Sequence, residues 1–451
     1  MTALPSGPLV AWLGDDFTGS AAVMEVLEFA GLSSVLFLDI PTAAQRARFA
    51  HARAIGIATT ARSHGPEWMQ THLPAGFAAL AATGARVVHY KVCSTLDSAP
   101  HAGSIGRALE LGLDSVPTHC VPFLVAAPPM RRYQAFGHLF AAAGDGVFRL
   151  DRHPVMAQHP VTPMAESDVA RHLSAQTSLT VGNLQLEHIN NGAQANDINA
   201  KIVTLDCMSD DDLIACGRII WPDTGQTLCG GSQGVEYALV AYWRSLGLIA
   251  NTPPITCAAA VDRMIAVSGS VSPTTATQIT WAENNGFDAI PFDAARAATG
   301  DRGGEDEAVQ SALDALNAGR DPLIHSARGP DDPRVHNMRN ACAAHGIDVE
   351  TGNARVGAAL GRILQRLLHQ TGLRRAVISG GDTSGHATRQ LDIYAFTALA
   401  PTPPGAALLT AHSDAPRWDG LQLALKGGQM GSTDYFGWIK RGAGAAMKGT
   451  T

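Results

Sequence analysis

Charged and aromatic residues are both scarce in this chain of 451 residues. Asp, Glu, Lys and Arg together make up 16% of it and aromatic residues 6%, while 46% is hydrophobic. A composition this apolar is typical of packed globular domains and argues against a disordered chain. Because single hydrophobic cores stop growing well below this length, we expect two domains.

Positive charge is also in short supply. The formal net charge is −7, and the densest basic clusters are pairs of adjacent residues, such as Arg131 and Arg132. Nucleic acid binding requires an extended basic surface, so we expect no nucleic acid partner. A small anionic ligand stays open, because a helix N-terminus or a few well-placed cations are enough to bind one.

Paired cysteines and long apolar runs are missing. The seven cysteines are scattered, odd in number and form no CxxC pair, which argues against a disulfide framework or a zinc ribbon. The N-terminus has no basic stretch before an apolar one, and no apolar run is long enough to cross a bilayer. These features predict a cytoplasmic protein with no membrane partner.

Short runs rich in Val, Ile and Leu alternate with segments of helical periodicity along the whole chain. Unbroken apolar runs are typical of parallel strands that are covered on both faces. We expect helices at 103–112 and 356–368, where apolar residues recur on one face. The order of elements predicts an α/β protein with mainly parallel sheets. The predicted strands are 9–14, 34–40, 54–60, 86–92, 122–128, 178–183, 201–207, 263–270, 287–293, 321–328, 374–381, 405–410 and 421–428.

The strand and helix pattern breaks near residue 250, where "ANTPPITC" carries a proline pair. We place a linker at 248–260, between an N-terminal domain at 1–247 and a C-terminal domain at 261–451. Two α/β domains joined by a short linker predict an active-site cleft between them. Ligands of such domains sit beyond the carboxyl ends of the parallel strands, so the loops that follow strands matter most.

Three strand ends of the C-terminal domain are rich in glycine and hydroxyl residues. They read "SGSVSPTTATQ", "SGGDTSG" and "KGGQMGSTD". Exposed backbone amides near a helix N-terminus form an anion site, and three such loops in one domain indicate a nucleotide. No G-x-x-x-x-G-K-[ST] or G-x-G-x-x-G motif is present, which argues against a P-loop NTPase and a dinucleotide enzyme. Taken singly, each loop could be an ordinary glycine turn.

Acidic and basic side chains follow strands of the N-terminal domain. Asp15 and Asp16 come after the first strand, Arg62 after the third and Lys91 at the end of the fourth. An aspartate here could accept a proton or help hold Mg²⁺, and the two cations could bind a carboxylate. The structural alternatives are an N-cap for a helix predicted from Ser20, and ordinary surface ion pairs.

We expect structural rather than chemical roles for one cysteine and for two histidines of the N-terminal domain. Cys93 lies beside Lys91, but no histidine partner is identifiable, so we expect a small buried thiol rather than a nucleophile. His153 and His159 lie in "RHPVMAQHPVTPM", whose irregular, proline-broken spacing does not suit a metal site. We predict a long ordered loop for this segment.

Several motifs in this order resemble the four-carbon acid sugar kinase family. They are "DDFTGS", "KVCSTLDS", "APPMRRYQAFGHLF", "HPVTPMAESD", "CGGSQGVEYAL", "SGSVSPTTATQI", "SGGDTSG" and "LALKGGQMGSTDYF". The resemblance runs from about residue 9 to 436. It implies an N-terminal domain that binds a sugar acid and a C-terminal domain that binds ATP. The implied reaction is phosphorylation of the terminal hydroxyl of threonate, erythronate or 3-oxo-tetronate.

The resemblance also implies which residues bind each ligand. This chain has "KGGQMG" where some members have "KSGNFG", and "RRYQAFGHLF" where others have "GRT", which leaves the choice of tetronate open. The residues implied for the acid are Asp15, Asp16, Arg62, Lys91, Val92, Cys93 and Ser94. The residues implied for ATP are Ser268, Gly269, Ser270, Gly380, Gly381, Asp382, Thr383 and Gly427.

For the reaction, we expect Asp16 to accept the proton of the substrate hydroxyl, with Asp382 as the rival base. Mg²⁺ would bridge the phosphates, and its protein ligands stay unknown. The alternative function is a nucleotide-binding sensor or regulatory protein without catalysis, which would keep the glycine loops. The oligomeric state stays open, with a homodimer as the working expectation.

Overall fold

The chain folds into two compact units, residues 1–253 and 254–451, called unit 1 and unit 2 below. The structure is a computed structural model and describes residues 3–159, 161–251, 257–402 and 406–444, together with the backbone but not the side chain of Asp382. Residues 252–256, in the middle of the predicted linker, lie outside the described residues. None of the described helices is long and apolar enough to cross a bilayer.

Unit 1 is built on a parallel sheet of short, buried strands. Their order across the sheet is β2-β3-β1-β4-β11-β5-β10-β9, and the paired neighbours run parallel. The three remaining strands, β6 to β8, form a separate antiparallel sheet. The strands of unit 1 are β1 Val10–Gly14, β2 Ser34–Phe37, β3 Ala54–Ala58, β4 Val87–Lys91, β5 Val121–Leu124, β6 Arg132–Ala135, β7 His138–Ala143, β8 Gly146–Arg149, β9 Val181–Leu184, β10 Ile202–Leu205 and β11 Thr227–Gly231.

Several helices of unit 1 begin at side-chain caps. Ser104 caps α4, and Ser209 caps α7 in a capping box with Asp212. Such caps satisfy backbone N–H groups that have no partner within the helix. The helices are α1 Phe17–Glu28, α2 Ala43–Ala47, α3 Pro66–Ala81, α4 Ile105–Ser115, α5 Val169–Ser174, α6 Leu186–Asn190, α7 Asp210–Ile220 and α8 Gly234–Ser245.

Unit 2 is built on a mixed sheet with the strand order β13-β14-β12-β15-β18-β17-β16. The first five run parallel, and β17 is antiparallel to both of its neighbours. Its strands are β12 Ile265–Ser268, β13 Phe287–Pro291, β14 Asp321–His325, β15 Arg375–Ser379, β16 Ile393–Ala400, β17 Leu408–Ser413 and β18 Gln422–Lys426. Its helices are α9 Pro273–Glu283, α10 Ala294–Thr299, α11 Gly303–Asn317, α12 Pro333–Ala344, α13 Val349–Thr371, α14 Gly381–Thr388 and α15 Tyr435–Lys440.

One face of the unit 2 sheet changes from apolar to polar at the strand ends. Its core contains side chains of β12, β14, β15 and β18 packed with residues of α9 and α15. Two residues further along each strand, the same face carries a polar residue, because side chains alternate between faces. These four polar residues, called the polar row below, are in register on neighbouring strands: His325, Ser268, Ser379 and Lys426.

The fold confirms the predicted α/β class with mainly parallel sheets. The predicted helices at 103–112 and 356–368 correspond to α4 and to the middle of α13. The prediction that the first helix begins at Ser20 was wrong, because Asp16 caps it and α1 begins at Phe17. Strands β6 to β8, β11 and β16 were not predicted.

Candidate functional site

Three neighbouring strands of unit 1 bring the predicted acidic and basic residues together. Strand β1 lies between β3 and β4, and Gly14 at its end is in register with both Ala58 and Lys91. Asp15 follows β1 directly, and Arg62 lies in a short 3-10 turn after β3. Their side chains therefore meet at the carboxyl edge of the sheet, as expected for a parallel α/β fold.

Arg62 binds both aspartates. Its Nη2 and Nε donate to the two carboxylate oxygens of Asp15 at 2.7 and 3.1 Å, and Nη2 also donates to Asp16 Oδ1 at 2.8 Å. This bidentate contact is the geometry that a guanidinium favours with a carboxylate. Burial raises the pKa of Asp15 more than Arg62 lowers it. Burial also acts on Asp16, but Arg62 and Lys91 overcome it and lower the pKa of that carboxyl.

Asp16 has a structural task in addition to its contact with Arg62. It is the N-cap of α1, where its Oδ1 accepts from the Gly19 amide at 2.9 Å and its Oδ2 from Thr18 Oγ1 at 2.7 Å. The capping interpretation of this residue was therefore correct. Gly19 permits this close packing, since a Cβ there would lie 2.3 Å from Asp16 Oδ1 and 2.8 Å from Lys91 Nζ.

The segment after β4 places the remaining predicted acid-binding residues beside this cluster. Lys91 is buried, and its Nζ donates to the carbonyl of Val92 at 2.7 Å. Val92 is also buried, while Cys93 and Ser94 are partly exposed. The Cys93 Sγ lies 3.2 Å from Thr95 Oγ1. The expectation that the Cys93 thiol is buried is therefore only partly met.

The predicted loop that contains His153 and His159 contacts the segment after β4. Thr162 Oγ1 donates to Asp97 Oδ1, and His159 Nδ1 lies 2.9 Å from Thr162 Oγ1 and 3.6 Å from Asp97 Oδ1. His153 is buried, and its Nδ1 accepts the amides of Val155 and Met156. Pro160 of this loop lies outside the described residues, and the contact of Thr162 and His159 with Asp97 was not predicted.

The three glycine-rich loops of unit 2 converge at the ends of β12, β15 and β18. Gly269 N donates to Ser379 O at 3.0 Å, and Gly380 N donates to Lys426 O at 2.7 Å. A Cβ on Gly269 would lie 2.2 Å from Thr383 Oγ1, and one on Gly380 2.8 Å from the same atom. Gly380 also has a φ of +122°, a conformation that favours glycine. These glycines are required by close packing as well as by backbone shape.

Two helices begin at the converging loops, as the sequence predicts. Helix α9 begins at Pro273 after the Ser272 N-cap, and α14 begins at Gly381. Ser270, Thr383 and Gly427 lie in or beside these loops. The side chain of Asp382, in the first turn of α14, lies outside the described residues. The loops thus combine backbone amides with helix N-termini, which suits an anionic ligand.

Lys426 is a residue of this site that the sequence interpretation missed, although the quoted motif contains it. It is fully buried, and its Nζ donates to Thr275 Oγ1 at 3.1 Å, Gly427 O at 3.0 Å and Gly428 O at 3.4 Å. Burial lowers the pKa of its amine to about 7. Only the adjacent Gly427 was predicted, because a strand pattern does not show how deeply a terminal lysine is buried.

The rest of the polar row was also missed, apart from Ser268. The hydroxyls of Ser268 and Ser379 are buried with no hydrogen-bond partner among the described residues, and His325 is buried in the same row. Burial lowers the pKa of His325 to about 4, so the ring is neutral near pH 7. Unpaired buried polar groups are costly in a fold and often mark a functional site.

The chain matches two families of known protein domains. Residues 10–239 match the family described as a sugar-binding N-terminal domain, and residues 265–436 match the family described as a nucleotide-binding C-terminal domain. The two matches cover unit 1 and unit 2 in turn, and each contains one of the residue clusters described above.

Curated relatives match over nearly the full length. The chain is 42% identical over 451 residues to a 3-oxo-isoapionate kinase of Paraburkholderia graminis, covering 98% of this chain and 96% of that protein. It is 30% identical to a 3-oxo-tetronate kinase of Pseudomonas savastanoi pv. phaseolicola, with coverage of 97% and 98%. A 3-oxo-tetronate kinase of Cupriavidus necator is also 30% identical, with the same coverage.

Solved structures share the fold. A Salmonella typhimurium protein described as a tRNA synthase superposes with a TM-score of 0.77 at 22% identity, covering 96% of this chain and 98% of that one. A Haemophilus influenzae protein of the DUF1537 family superposes with a TM-score of 0.69 at 21% identity, covering 95% and 99%. At these identities the likeness concerns the fold alone.

Proposed function

The chain belongs to the four-carbon acid sugar kinase family, and from this premise we propose that it transfers the γ-phosphoryl group of ATP to the terminal hydroxyl of a short 3-oxo sugar acid. Family membership makes the chain a sugar acid kinase. We propose which acid and which nucleotide it uses and which residues bind them. The observation that carries the assignment of the nucleotide is the convergence of three glycine-rich loops on Lys426.

The donor set of unit 2 fits a nucleoside triphosphate. The close approach at Gly269, Gly380 and Gly428 leaves room for backbone amides but not for side chains. Two helices begin at the same loops, and their N-termini favour negative charge. The residues proposed for ATP are Ser268, Gly269, Ser270, Gly380, Gly381, Asp382, Thr383 and Gly427.

The donor set of unit 1 fits a small carboxylate. Arg62 and Lys91 supply two positive charges at one sheet edge, and Lys91 is buried there. The ion pairs of Arg62 with Asp15 and Asp16 offset part of the negative charge that would oppose an incoming acid. We therefore assign the substrate carboxylate to Arg62 and Lys91, with Val92, Cys93 and Ser94 along the same segment.

The identities to the relatives indicate which acid is the first candidate substrate. The 3-oxo-isoapionate kinase shares 42% of its residues with the chain, and the 3-oxo-tetronate kinases share 30% or less. Discrimination between two similar acids turns on a few hydrogen bonds in the site. We therefore take 3-oxo-isoapionate as the first candidate and 3-oxo-tetronate as the second.

In the proposed reaction, the terminal hydroxyl oxygen of the acid bonds to the γ-phosphorus as the bond between that phosphorus and the β,γ-bridging oxygen breaks. ADP leaves, and the hydroxyl proton passes to a carboxylate. We assign that role to Asp16, which is held ionised by Arg62 and Lys91, with Asp382 as the alternative. Catalysis of this kind depends mainly on positioning and charge.

Mg²⁺ would neutralise charge on the phosphates in this reaction. No three His, Cys, Asp or Glu side chains of the described residues lie close enough to hold a metal ion. A Mg²⁺ ion bound beside a nucleotide commonly takes most of its ligands from phosphate oxygens and water. Such an ion would need few ligands from the protein.

The experiment is a coupled assay of ADP release with purified protein, ATP, Mg²⁺ and a panel of acids. The panel contains 3-oxo-isoapionate, 3-oxo-tetronate, threonate and erythronate. Turnover with a 3-oxo acid that exceeds turnover with threonate and erythronate supports the proposal. Binding of ATP without ADP release on any acid would instead support a nucleotide-binding sensor, and a thermal-shift screen with ATP, ADP and NAD separates these cases.

A further inference from the structure

The amine of Lys426 contacts one glycine-rich loop and the helix that follows a second, and the main-chain carbonyl of Lys426 accepts from Gly380 of the third. Its side chain is fully buried at the end of β18. It donates to Thr275 Oγ1 at 3.1 Å, and that hydroxyl lies 2.9 Å from Ser270 Oγ and 3.1 Å from Gly428 O. The amine thus touches α9 and the loop after β18, and through Thr275 it is joined to the loop after β12.

The partners of this amine are all uncharged among the described residues. They are the hydroxyl of Thr275 and the carbonyls of Gly427 and Gly428. Lys440, at the end of α15, differs in this respect, because it donates to the carboxylate of Asp321 at 2.6 Å. A buried ammonium without a counter-ion is unfavourable in a protein interior. An anion is the ligand that would compensate it.

The surroundings of the amine indicate which kind of anion fits. The neighbouring hydroxyls of Ser268 and Ser379 are buried and unpaired among the described residues. A Cβ on Gly428 would lie 2.9 Å from Ser270 Oγ, so side chains other than hydrogen are excluded close to the amine. Hydroxyls, backbone amides and one ammonium together suit phosphate oxygens better than a planar base or a ribose.

We propose that Lys426 is the cation that binds the phosphate chain of the nucleotide, and that its contacts with the Gly427 and Gly428 carbonyls fix the path of the loop that surrounds those phosphates. This inference rests on the proposed function, because it presupposes that unit 2 binds ATP. It adds a charged phosphate ligand to a site otherwise built from backbone amides and hydroxyls.

The test measures binding of adenosine, AMP, ADP and ATP by calorimetry, each with Mg²⁺, to the full-length protein. The variants are Lys426→Met, which removes the charge at similar volume, and Lys426→Gln, which keeps donors for the Gly427 and Gly428 carbonyls. We expect both variants to lose about 30-fold or more in ATP affinity, since a hydrogen bond to a charged group is removed. Adenosine affinity should change less than about threefold.

The matched control is Lys201→Met. Lys201 lies in unit 1, and its amine also donates to main-chain carbonyls, those of Thr118 and His119. It should leave the affinities for all four ligands unchanged. Circular dichroism and a melting curve check that each variant is folded, and the Gln variant serves if the Met variant is not.

The outcomes separate the inference from the proposed function. Wild-type protein that binds none of the four ligands would overturn the nucleotide assignment of unit 2 and the inference with it. Wild-type protein that binds ATP, with both folded Lys426 variants binding it equally well, would overturn the inference and leave the proposed function standing. An equal loss of adenosine and ATP affinity would show a role in loop structure alone and would overturn the assignment of Lys426 as the cation that binds the phosphates.

Discussion

Arg62 and Asp15 form a bidentate ion pair at the carboxyl edge of the unit 1 sheet. The two hydrogen bonds measure 2.7 and 3.1 Å, and the Asp15 side chain is 3% exposed. The same guanidinium reaches Asp16, so it links the residue after β1 to the cap of α1. This arrangement orients Arg62 before any acid binds, and such preorganisation lowers the cost of binding.

We therefore expect Arg62→Ala to raise KM for the sugar acid by at least about tenfold and to change KM for ATP much less, because one charge-assisted contact is lost. Arg62→Lys should restore little, since an ammonium does not reproduce the bidentate contact. Steady-state kinetics with each substrate varied in turn gives both constants.

Arg107→Ala is the control, because Arg107 pairs with Glu110 at 2.8 Å on α4. Equal rises in both KM values for Arg62→Ala would contradict the assignment.

The proton acceptor is tested by Asp16→Asn and Asp382→Asn. Asparagine caps a helix about as well as aspartate, so Asp16→Asn should keep α1 and the melting temperature. Loss of general base catalysis should lower kcat about 100-fold or more. If Asp382→Asn alone has this effect, the base is in unit 2, and if both variants keep wild-type kcat, neither residue is the base.

Much of this arrangement follows from local sequence. Unbroken apolar runs predicted the strands that carry Asp15, Arg62 and Lys91, and a parallel sheet places strand ends at one edge. The apolar runs did not predict the order of the strands in the sheet, in which β1 lies between β3 and β4. That order depends on crossover connections and on packing between distant segments.

The elements that escaped prediction lack the signals of a buried parallel strand. Strands β6 to β8 are only partly buried, and Val147 and Phe148 are exposed. A residue far away in the sequence holds the turn between β6 and β7. Buried Asp206 accepts hydrogen bonds from the amides of Phe136 and Gly137 at 2.6 and 2.9 Å. Strand β11 ends in two glycines, which are depleted in strands. Tertiary contacts override local preference at these places.

Gly380 offers a test of the loop geometry in unit 2. Its φ is +122°, and an added Cβ would lie 2.8 Å from Thr383 Oγ1. Gly380→Ala should therefore strain the loop and lower ATP affinity at least about tenfold, with a stability cost of about 1–3 kcal/mol. Calorimetry and urea unfolding measure the two effects.

Gly372→Ala is the matched control for that variant. Gly372 follows α13 with a φ of +68° and has nothing within 4 Å of an added Cβ. It should cost about 1 kcal/mol of stability and leave ATP affinity unchanged. An equal loss of ATP affinity in both glycine variants would show that general destabilisation is the cause, and would contradict a specific role for the loop at Gly380.

The pH dependence of nucleotide binding tests the charge of Lys426. Burial lowers the pKa of this amine to about 7, and a bound phosphate should raise it again. Below pH 7 the amine is already charged when ADP arrives. Above pH 7 binding requires uptake of a proton, so the Kd should rise by up to about tenfold for each pH unit until the pKa of the bound state is reached.

The window from pH 7 to 9 isolates this effect, because nucleotide phosphates, whose last pKa is about 6, are already largely ionised there. The described groups in contact with the amine are Thr275, Gly427 and Gly428, none of which titrates in this range. His325, in the same row, has a pKa of about 4 and stays neutral.

Calorimetry in two buffers of different ionisation enthalpy counts the protons taken up. We expect up to one proton for each ADP bound at pH 8 in the wild type and in Asp382→Asn, because Lys426 is intact in both. Lys426→Met should take up none, and its weaker Kd should not change with pH. A wild-type Kd that is flat from pH 7 to 9 would mean that the protonation of the amine does not change when ADP binds, and it would contradict the predicted proton uptake.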